Sequence, residues 1–408
     1  MVLKRTRLYI LSESDQLVSK ATTGLSLHCH TEHSKESLDF LPVYADKIPV
    51  ISKLWRRECK LYEGREGRCV DFSTAYWTPP LTPELVYSSE KDQINQVGLN
   101  AIVSITDHDT IDGNLVVNSA KPHINAPISM EWTVPFDRGF FHLGIHNLPP
   151  KHASAIANLL LEYTDVPSIR SSSKLDELFS LLNAIPDVLI VLNHPLWDIE
   201  LVGSEIHECL LGEFLRTHGR WIHVLEINGF RSWSENKAAI ELAESLGLPV
   251  VGGGDRHGSR PNTLINISNC ESFNEFTADL RSRRCSAVAL MPQYERPLIS
   301  RQLESFAEIL GEYPEFGIER SRWVHRIFFD VGDKRGLRSI SELGVIQGPL
   351  WMRSAIRLLG ILGSPRMALL FRIARGRADR VPSAIDESHF GTSEVEDISR
   401  NLSSEPVL

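Results

Sequence analysis

Short apolar runs alternate with longer amphipathic stretches between residues 25 and 290. Runs rich in Val, Ile and Leu predict strands at Leu25–Thr31, Ala101–Thr106, Ala126–Glu131, Phe140–His146, Val188–Asn193, Trp221–Ile227, Pro249–Gly252 and Ser286–Leu290. Helical periodicity between them predicts helices at Pro83–Val97, His152–Tyr163, Lys174–Ala184, Glu205–Arg216, Ser234–Leu246 and Glu271–Arg283. Apolar strands that alternate with helices are typical of a parallel sheet with both faces covered. Seven or eight such units favour a closed or distorted α/β barrel, in which functional groups lie at the carboxyl ends of the strands.

The composition is that of a globular chain without membrane spans. Its 408 residues carry 43 Lys and Arg against 52 Asp and Glu, a net charge of −9, which disfavours broad electrostatic binding to nucleic acid. No apolar run approaches the roughly 20 residues that a transmembrane helix needs, and Leu8–Leu11 is too short for the core of a signal peptide. The six cysteines have no CxxC spacing and are expected to be reduced. We therefore expect a cytoplasmic protein with no transmembrane segment.

Imidazoles and carboxylates recur at the ends of the predicted strands. His28 and His30 are two positions apart in the first strand, so both side chains point to one face. The later strands add His108, Glu131, His142, His194, Asp255 and His257. Imidazole with carboxylate and without thiolate suits zinc, manganese or iron. Because one ion cannot use so many ligands, we expect two or three divalent ions, which would supply a bridging hydroxide and clamp a phosphoryl group.

Five sequence motifs occur in the order seen in one known family. They are His28-Cys29-His30-Thr31-Glu32-His33-Ser34, Ile105-Thr106-Asp107-His108-Asp109-Thr110-Ile111-Asp112-Gly113, Met130-Glu131 followed by His142, His194-Pro195, and Gly254-Asp255-Arg256-His257. Together they resemble the PHP superfamily, named after polymerase and histidinol phosphatase domains, over about residues 22–290. The resemblance implies a distorted (β/α)7 TIM-like barrel, two or three bound Mn, Zn or Fe ions, and phosphoester hydrolysis.

The resemblance also assigns roles to individual residues. The metal ligands would be His28, His30, His108, Glu131, His142, His194, Asp255 and His257, with Glu131 as a bridging carboxylate. Asp107, beside His108, would orient a ligand or transfer protons. The chain departs from the family after Ser34, where many members have Asp-Gly and this chain has Lys35-Glu36. Either Glu36 replaces the aspartate ligand and Lys35 binds a substrate phosphate, or both are solvated loop residues.

About 45 residues, from Lys35 to Pro80, separate the first motif from the next helix. A structureless loop of that length is unusual, so residues 35–80 are predicted to form an ordered lid over the active rim, with surface decoration as the alternative. Arg170 and Arg231 lie where rim loops are expected, and each either binds a substrate phosphate or is an ordinary surface arginine. Glu226 either fixes a ligand imidazole or has another buried partner.

Residues 291–408 lie outside the resemblance. Helical patterns at Ile299–Leu310, Gly348–Ile361 and Arg366–Arg375 predict a helical extension over 291–380, and the polar, acidic residues 381–408 predict a disordered tail. Between residues 343 and 378 there are six arginines and no acidic residue. This segment either contacts an anionic membrane surface or packs on the barrel with its arginines in solvent. Residues 1–21 are taken as a lead into a barrel domain over 22–290.

The function that these residues favour is hydrolysis of a small phosphorylated substrate, such as a nucleotide or a sugar phosphate. Two alternatives stay open at this point. One is a nuclease that trims short oligonucleotides, and the other is a metal-binding regulatory module whose altered first motif has cost it activity. An amidohydrolase also opens with HxH on its first strand, but Asp255-x-His257 and Asp107-His108-Asp109 do not fit that pattern.

Overall fold

A computed structural model of the chain describes residues 5–12, 15–39, 41–42, 46, 49–121, 124, 126–199, 202–317, 319–374 and 381. The strands of these residues form three sheets. In the order of pairing, the first sheet contains β1 (Thr6–Ile10), β12 (Ser286–Leu290), β11 (Leu264–Ser268), β2 (Thr23–Ser26) and β5 (Asn100–Val103). The second contains β10 (Val250–Gly253), β9 (Val224–Asn228), β8 (Leu189–Leu192), β7 (Gly139–Leu148) and β6 (Ile128–Phe136). The third contains β14 (Leu337–Ser339), β13 (Ile327–Asp330), β4 (Tyr76–Trp77) and β3 (Glu36–Ser37).

Nine of the eleven helices in the described residues overlap predicted helices, and the helices at Pro49–Glu66 and Asp112–Ala120 were not predicted. The eleven helices are α1 (Pro49–Glu66), α2 (Pro83–Gln96), α3 (Asp112–Ala120), α4 (Ala153–Asp165), α5 (Ser172–Asn183), α6 (Ser204–His218), α7 (Trp233–Ser245), α8 (Phe273–Arg283), α9 (Leu298–Ile309), α10 (Leu350–Gly363) and α11 (Pro365–Ala374). Three of them begin at a serine whose hydroxyl accepts a hydrogen bond from the backbone N–H three residues on, at Ser171, Ser232 and Ser272. These N-caps satisfy one of the free backbone N–H groups at the start of each helix.

The prediction of a parallel sheet is correct only in part. β2 pairs in parallel with β5, and β9 pairs in parallel with β8 and with β10. β7 is antiparallel to both β6 and β8. β11, which the apolar pattern did not reveal, is antiparallel to β2 and β12. Only Asp137 and Arg138 separate β6 from β7, with Asp137 at φ +50°, so the two strands form a hairpin and no crossover helix can fit between them.

Backbone hydrogen bonds join the first two sheets at two places. On one side, Glu131 N–H donates to Asp107 O at 3.2 Å and Asp109 N–H donates to Glu131 O at 2.9 Å. On the other side, His30 N–H donates to Arg256 O at 2.9 Å, and Asp255 N–H donates to His28 O at 2.9 Å. These joins bring the first, second, third and last sequence motifs side by side. A seven-stranded ring of β2 and β5 to β10 requires such joins, and closure of the barrel stays a prediction.

The strands that carry the motifs are anchored in a continuous apolar core. All four residues of β8, Leu189–Leu192, are at most 1% exposed, as expected for a strand covered on both faces. On the outer side, Trp132 of β6 is fully buried, and its indole N–H donates to Leu160 O of α4 at 3.0 Å. The core therefore fixes the strands from which the polar side chains of the site project.

The inserted segment 35–80 and the C-terminal extension share one sheet. β4 pairs with β3 on one side and with β13 on the other, and both pairings are antiparallel. Leu38, Ala75 and Phe329 are buried together beneath this sheet. The extension is thus not purely helical, because β13 and β14 precede α10 and α11.

The two terminal segments of the predicted division are a lead over residues 1–21 and a tail over 381–408. The lead contains β1, which pairs in parallel with β12 over its whole length. The predicted disordered tail, 381–408, lies outside the described residues except for Val381. The division into lead, barrel, extension and tail stays a prediction.

Candidate metal centre

Glu131 lies at the centre of a cluster of imidazoles. Its side chain is fully buried in β6, which lies between His108, joined to Glu131 by an isolated bridge, and β7, which carries His142. Oε2 lies 3.0 Å from the Nε2 atom of His28 and 3.4 Å from those of His30 and His108. Oε1 lies 3.2 Å from His194 Nε2 and 3.4 Å from His142 Nδ1. One carboxylate thus faces five of the predicted ligands, as a bridging group would.

A second carboxylate, Glu36 of β3, extends the cluster outward. Its Oε1 lies 3.0 Å from His257 Nε2, and its Oε2 lies 3.3 Å from His108 Nε2. The Ser34 hydroxyl donates to Glu36 Oε1 at 2.6 Å and lies 3.2 Å from His30 Nδ1, which fixes the carboxylate relative to the first motif. The Glu36 carboxylate thus lies beside two predicted ligands and not in solvent, and its role as a metal ligand stays a prediction. The signal that pointed to it was its offset of one residue from the aspartate of the resembled family.

Asp255 completes the inner part of the cluster. Its Oδ1 atom lies 3.4 Å from His30 Nε2 and 3.7 Å from His28 Nε2. Asp255 and His194 have positive φ angles, +52° and +26°, as does Asp109 at +55°. Such backbone conformations are unfavourable for residues other than glycine, and they concentrate where a surrounding structure holds side chains in a required position.

The donor atoms are spaced as ligands of shared metal ions would be. Three groups have donor atoms that all lie within 4.8 Å of one another: His30, Glu36, His108 and His257; His28, His30, Glu131 and Asp255; and His108, Glu131 and His142. Ligands about 2.0–2.2 Å from one ion are themselves roughly 3.0–3.5 Å apart. In addition, His28 Nε2 faces His30 Nε2 at 3.1 Å, and a buried pair of ring nitrogens is more readily explained by a cation than by a hydrogen bond. The residues therefore fit two or three divalent cations.

The charges of the cluster also suit cations. Burial opposes ionisation of Glu131, yet the imidazoles of His28 and His108 hold the pKa of this carboxyl well below its usual range. Burial and the neighbouring His257 lower the pKa of His30 to about 4, so this imidazole is neutral near pH 7. Although burial opposes it, the carboxylates of Glu131 and Glu226 raise the pKa of His28, and those of Glu36 and Glu131 raise the pKa of His108 to about 10. Because metals bind the neutral imidazole, ions that bind here would displace protons from these two histidines.

Glu226 of β9 contacts two of the predicted ligands, His28 and His194. Its Oε1 lies 2.6 Å from His28 Nδ1, and its Oε2 accepts from the backbone N–H of His194 at 2.8 Å. A hydrogen bond at the second ring nitrogen fixes the orientation of a ligand imidazole. A side chain at Gly253 would collide with the Glu226 carboxylate, so glycine is required there for close approach. Of the two alternatives for Glu226, the structure favours the one that fixes a ligand.

Asp107 does not reach the cluster with its own oxygens. Both accept from Thr31, one from the backbone N–H at 2.5 Å and the other from the hydroxyl at 2.8 Å. Burial raises the pKa of Asp107 to about 7, against the lowering effect of these two bonds. This arrangement suits a role in which Asp107 orients His30 by holding Thr31, the next residue. Proton transfer by Asp107 stays a prediction.

We expect Asp107→Asn to reduce kcat/KM about 10- to 100-fold, as is usual when a partner of a metal ligand is lost. An asparagine side chain has one acceptor oxygen, so one Thr31 donor stays unsatisfied in the interior. The variant should also lose about 1–3 kcal/mol of stability. Steady-state kinetics over a pH range and thermal unfolding would measure both effects. Thr31→Val, which removes one of the two donors, should reproduce part of the loss, whereas unchanged turnover and an unchanged pH profile in Asp107→Asn would reject any role for this residue.

A cavity of about 540 Å³ opens onto the cluster. Lys35 lines its mouth, is exposed, and has its Nζ 5.5 Å from the ring centroid of Tyr76. The Arg231 guanidinium lies 3.6 Å from the ring centroid of Trp197, which also lines the cavity. Both positions are compatible with the predicted contacts to a substrate phosphate, which stay predictions.

Arg170 is not among the residues that line this cavity. Its guanidinium donates to the carbonyl oxygens of Tyr163 and Thr164. These carbonyls lie in the last turn of α4, where the helix has no backbone donors of its own to satisfy them. Of the two alternatives for Arg170, these contacts favour the surface arginine, which here caps a helix.

The inserted segment reaches the site through its two short strands. Glu36 and Ser37 of β3 line the cavity, and the Trp77 ring of β4 lies 5.5 Å from that of His257. The described part of the segment is thus ordered and contributes to the cavity wall, as a lid would. Residues 40, 43–45 and 47–48 of the segment lie outside the description.

Sequence reasoning missed two polar residues at the site. Asn193 donates to Glu131 Oε1 at 2.9 Å, and Asp109 lines the cavity while accepting from Thr133 N–H at 2.8 Å. Burial raises the pKa of Asp109 to about 6. Both are immediate neighbours of predicted ligands, His194 and His108, so a search of flanking polar residues at strand ends would have found them.

Comparison with known proteins gives weak matches. No family model and no curated protein matches the sequence. Among solved structures, an amidohydrolase from Chromobacterium violaceum, with bound sulfate and no metal, is similar at 16% identity over 44% of this chain and 84% of that one, with a TM-score of 0.29. A protein from Bifidobacterium adolescentis, for which metal-dependent phosphoesterase activity has been suggested, is similar at 14% identity over 64% of this chain and 96% of that one, with a TM-score of 0.33. Likeness at this level establishes neither fold nor function.

Proposed function

We propose that the protein is a metal-dependent phosphoesterase that hydrolyses a small phosphorylated substrate, such as a nucleotide or a sugar phosphate. The observation that carries the proposal is the set of three overlapping ligand groups around Glu131 and His108, which suits two or three divalent ions. The motif order from the first strand to Gly254-Asp255-Arg256-His257 agrees with it. For the fold, we propose a distorted seven-stranded barrel around this cluster. It would consist of β2 and of the six strands from β5 to β10, closed by the two backbone joins described above.

The groups that this chain supplies divide into binding and positioning roles. His28, His30, His108 and His257, together with the remaining imidazoles and the carboxylates of Glu36, Glu131 and Asp255, would hold the ions. Bound divalent ions supply Lewis acidity and lower the pKa of water. Lys35 at the cavity mouth would attract a phosphate as a point charge, and Asp109 at the cavity wall would accept a hydrogen bond from substrate.

A substrate panel with metal analysis on the same sample tests the proposal. Mononucleotides, sugar phosphates and short oligonucleotides would be assayed with the protein loaded with Mn, Zn or Fe, and phosphate release would be measured in single turnover. We expect turnover of the small monoesters and its loss in the His28→Ala/His30→Ala double variant. Turnover of oligonucleotides alone would point to a nuclease, and a fully loaded protein with no turnover would point to a metal-binding module.

We expect Lys35→Ala to raise KM for a phosphorylated substrate about tenfold, because removal of one charged contact to phosphate costs roughly 1.4 kcal/mol. The value of kcat should change by less than a factor of about three, since the Lys35 side chain is exposed and lies against the Tyr76 ring. Lys174→Ala, an exposed lysine paired with Glu177 on α5, is the matched control. Equal KM values for the two variants would contradict a phosphate contact at Lys35.

A further inference from the structure

One face of α10 carries large apolar side chains that nothing in the described chain covers. Leu350, Leu358 and Ile361 are 76%, 54% and 60% exposed, and Leu370 on α11 is 57% exposed. Residues 350, 354, 358 and 361 are spaced by three or four positions, so they share one side of the helix. We refer to Leu350, Leu358 and Ile361 as the C-terminal apolar stripe. Single exposed leucines are common on protein surfaces, but a row of three along one short helix is not.

The other side of α10 is fixed against α9, which keeps the stripe facing outward. A side chain at Gly363 would collide with the backbone of Glu304, and one at Gly360 would contact Ala307. The Arg296 guanidinium also donates to Gly363 O at 2.8 Å. Because the two glycines allow close approach of the helices, α10 cannot rotate to bury the stripe without losing this packing.

The charges around the stripe have one sign. Between residues 343 and 374, which the structure describes, the sequence contains four arginines and no acidic residue. Arg357 and Arg366 are exposed, and neither forms an ion pair with a carboxylate of the residues that the structure describes. An occupant of this face must therefore offer apolar groups to the stripe and negative charge to the arginines.

An anionic membrane surface offers both. Amphipathic helices that bind such surfaces place leucines and aromatic rings among the acyl chains and arginines among the headgroups. A second copy of this chain is a poorer partner, because a symmetric contact would oppose arginine to arginine and bring no carboxylate into the interface. We propose that the face formed by α10 and α11 binds the surface of an anionic bilayer.

The helices are suited to lie on a bilayer and not to cross it. No single helix in the described ranges is long and apolar enough to span a membrane. Leu350–Gly363 and Pro365–Arg372 pass that test only when taken together, and they are bent by 61° relative to each other. The 14 residues of α10 extend about 21 Å, less than the roughly 30 Å of the hydrocarbon core. Binding at the surface does not depend on the proposed phosphoesterase activity.

Co-sedimentation of the full-length protein with lipid vesicles tests this inference. We expect binding to vesicles with about one-third phosphatidylserine and little binding to pure phosphatidylcholine. Binding to the anionic vesicles should weaken markedly at about 0.5 M salt, because salt screens the charge interactions. Leu358→Glu/Ile361→Glu should lower the partition coefficient at least about tenfold, because it removes apolar area and adds repulsive charge. Arg357→Glu/Arg366→Glu should lower the partition coefficient about fivefold or more for each arginine removed, because each basic residue near an anionic surface contributes to binding.

A matched control separates the stripe from apolar surface in general. Leu159 on α4 and Leu181 on α5 are 41% and 39% exposed, so Leu159→Glu/Leu181→Glu places the same change on other helices. This control should bind vesicles as the parent does, and thermal unfolding and metal content should be unchanged in all three variants. Undiminished binding of Leu358→Glu/Ile361→Glu would overturn the inference, as would absence of binding by the parent. If light scattering shows a dimer that this double variant dissociates, the face is an interface between copies instead.

Discussion

The Glu131→Gln protein is expected to lose most of its bound metal and at least about a thousandfold in turnover. One oxygen of the carboxylate becomes an amide nitrogen, which cannot act as a ligand, yet this oxygen pair faces His28, His30, His108, His142 and His194. Loss of the ions removes several kcal/mol of transition-state stabilisation, and each 1.36 kcal/mol or so is a tenfold change in rate. Metal analysis after gel filtration, with kinetics on the same sample, measures both losses.

Glu90→Gln is the control, because it also replaces a buried carboxylate with an amide. Glu90 on α2 is as buried as Glu131 but accepts from the backbone N–H of Asn262, at 2.9 Å, and belongs to none of the three ligand groups. Its substitution should therefore leave the metal content unchanged. Full metal content and full turnover in Glu131→Gln would remove the basis for a shared centre around this carboxylate.

The second large effect is expected at Glu36, where we predict that Glu36→Ala holds one metal ion fewer per chain. The group of His30, Glu36, His108 and His257 falls to three donors, and two of the remaining imidazoles lose a carboxylate at 3.0 and 3.3 Å. Turnover should fall about a hundredfold or more, because one of the charges that stabilise the transition state is lost. Titration of the apo protein with Mn or Zn, read by calorimetry, gives the stoichiometry.

Glu32→Ala is the matched control for Glu36, since it is a nearby carboxylate of the first motif with a different partner. Its side chain pairs with Arg320 at 2.6 Å, away from the imidazoles. The control should bind as many ions as the parent. An unchanged stoichiometry in Glu36→Ala would mean that the Lys35-Glu36 sequence has cost the chain one ligand of the resembled family.

The positions of the ligands were predictable because they depend on local pattern. Period 2 puts His28 and His30 on one face, and the ends of short apolar runs identify His108, His194 and Asp255. The same reasoning placed His142 in a strand predicted to be parallel to its neighbours, and that direction is wrong. His142 lies near the amino end of β7, and it reaches the cluster because β7 runs antiparallel to β6 and sets Thr133 opposite it. The amino end of an antiparallel strand lies at the edge where its neighbours have their carboxyl ends, so the antiparallel direction is what brings His142 to the other predicted ligands.

Long-range pairing was beyond the reach of the sequence. β4 pairs with β13 through Tyr76 and Phe328, about 250 positions apart, and strands of two to four residues leave almost no periodic signal. The sequence left the role of Arg170 open for a different reason. Loop position alone does not tell whether a guanidinium meets a substrate or the unsatisfied carbonyls of a nearby helix, and here α4 takes it.

The sheet shared by the insertion and the extension has an evolutionary consequence. β3 carries Glu36, and it is held by β4, which is held in turn by β13. A deletion at residues 327–340 would leave β4 an open edge and release the segment that positions a candidate ligand nearly 300 positions earlier in the chain. The two pieces should therefore be gained and lost together among descendants of a common ancestor. A lineage that keeps one of them without the other should have returned to an aspartate directly after its first motif.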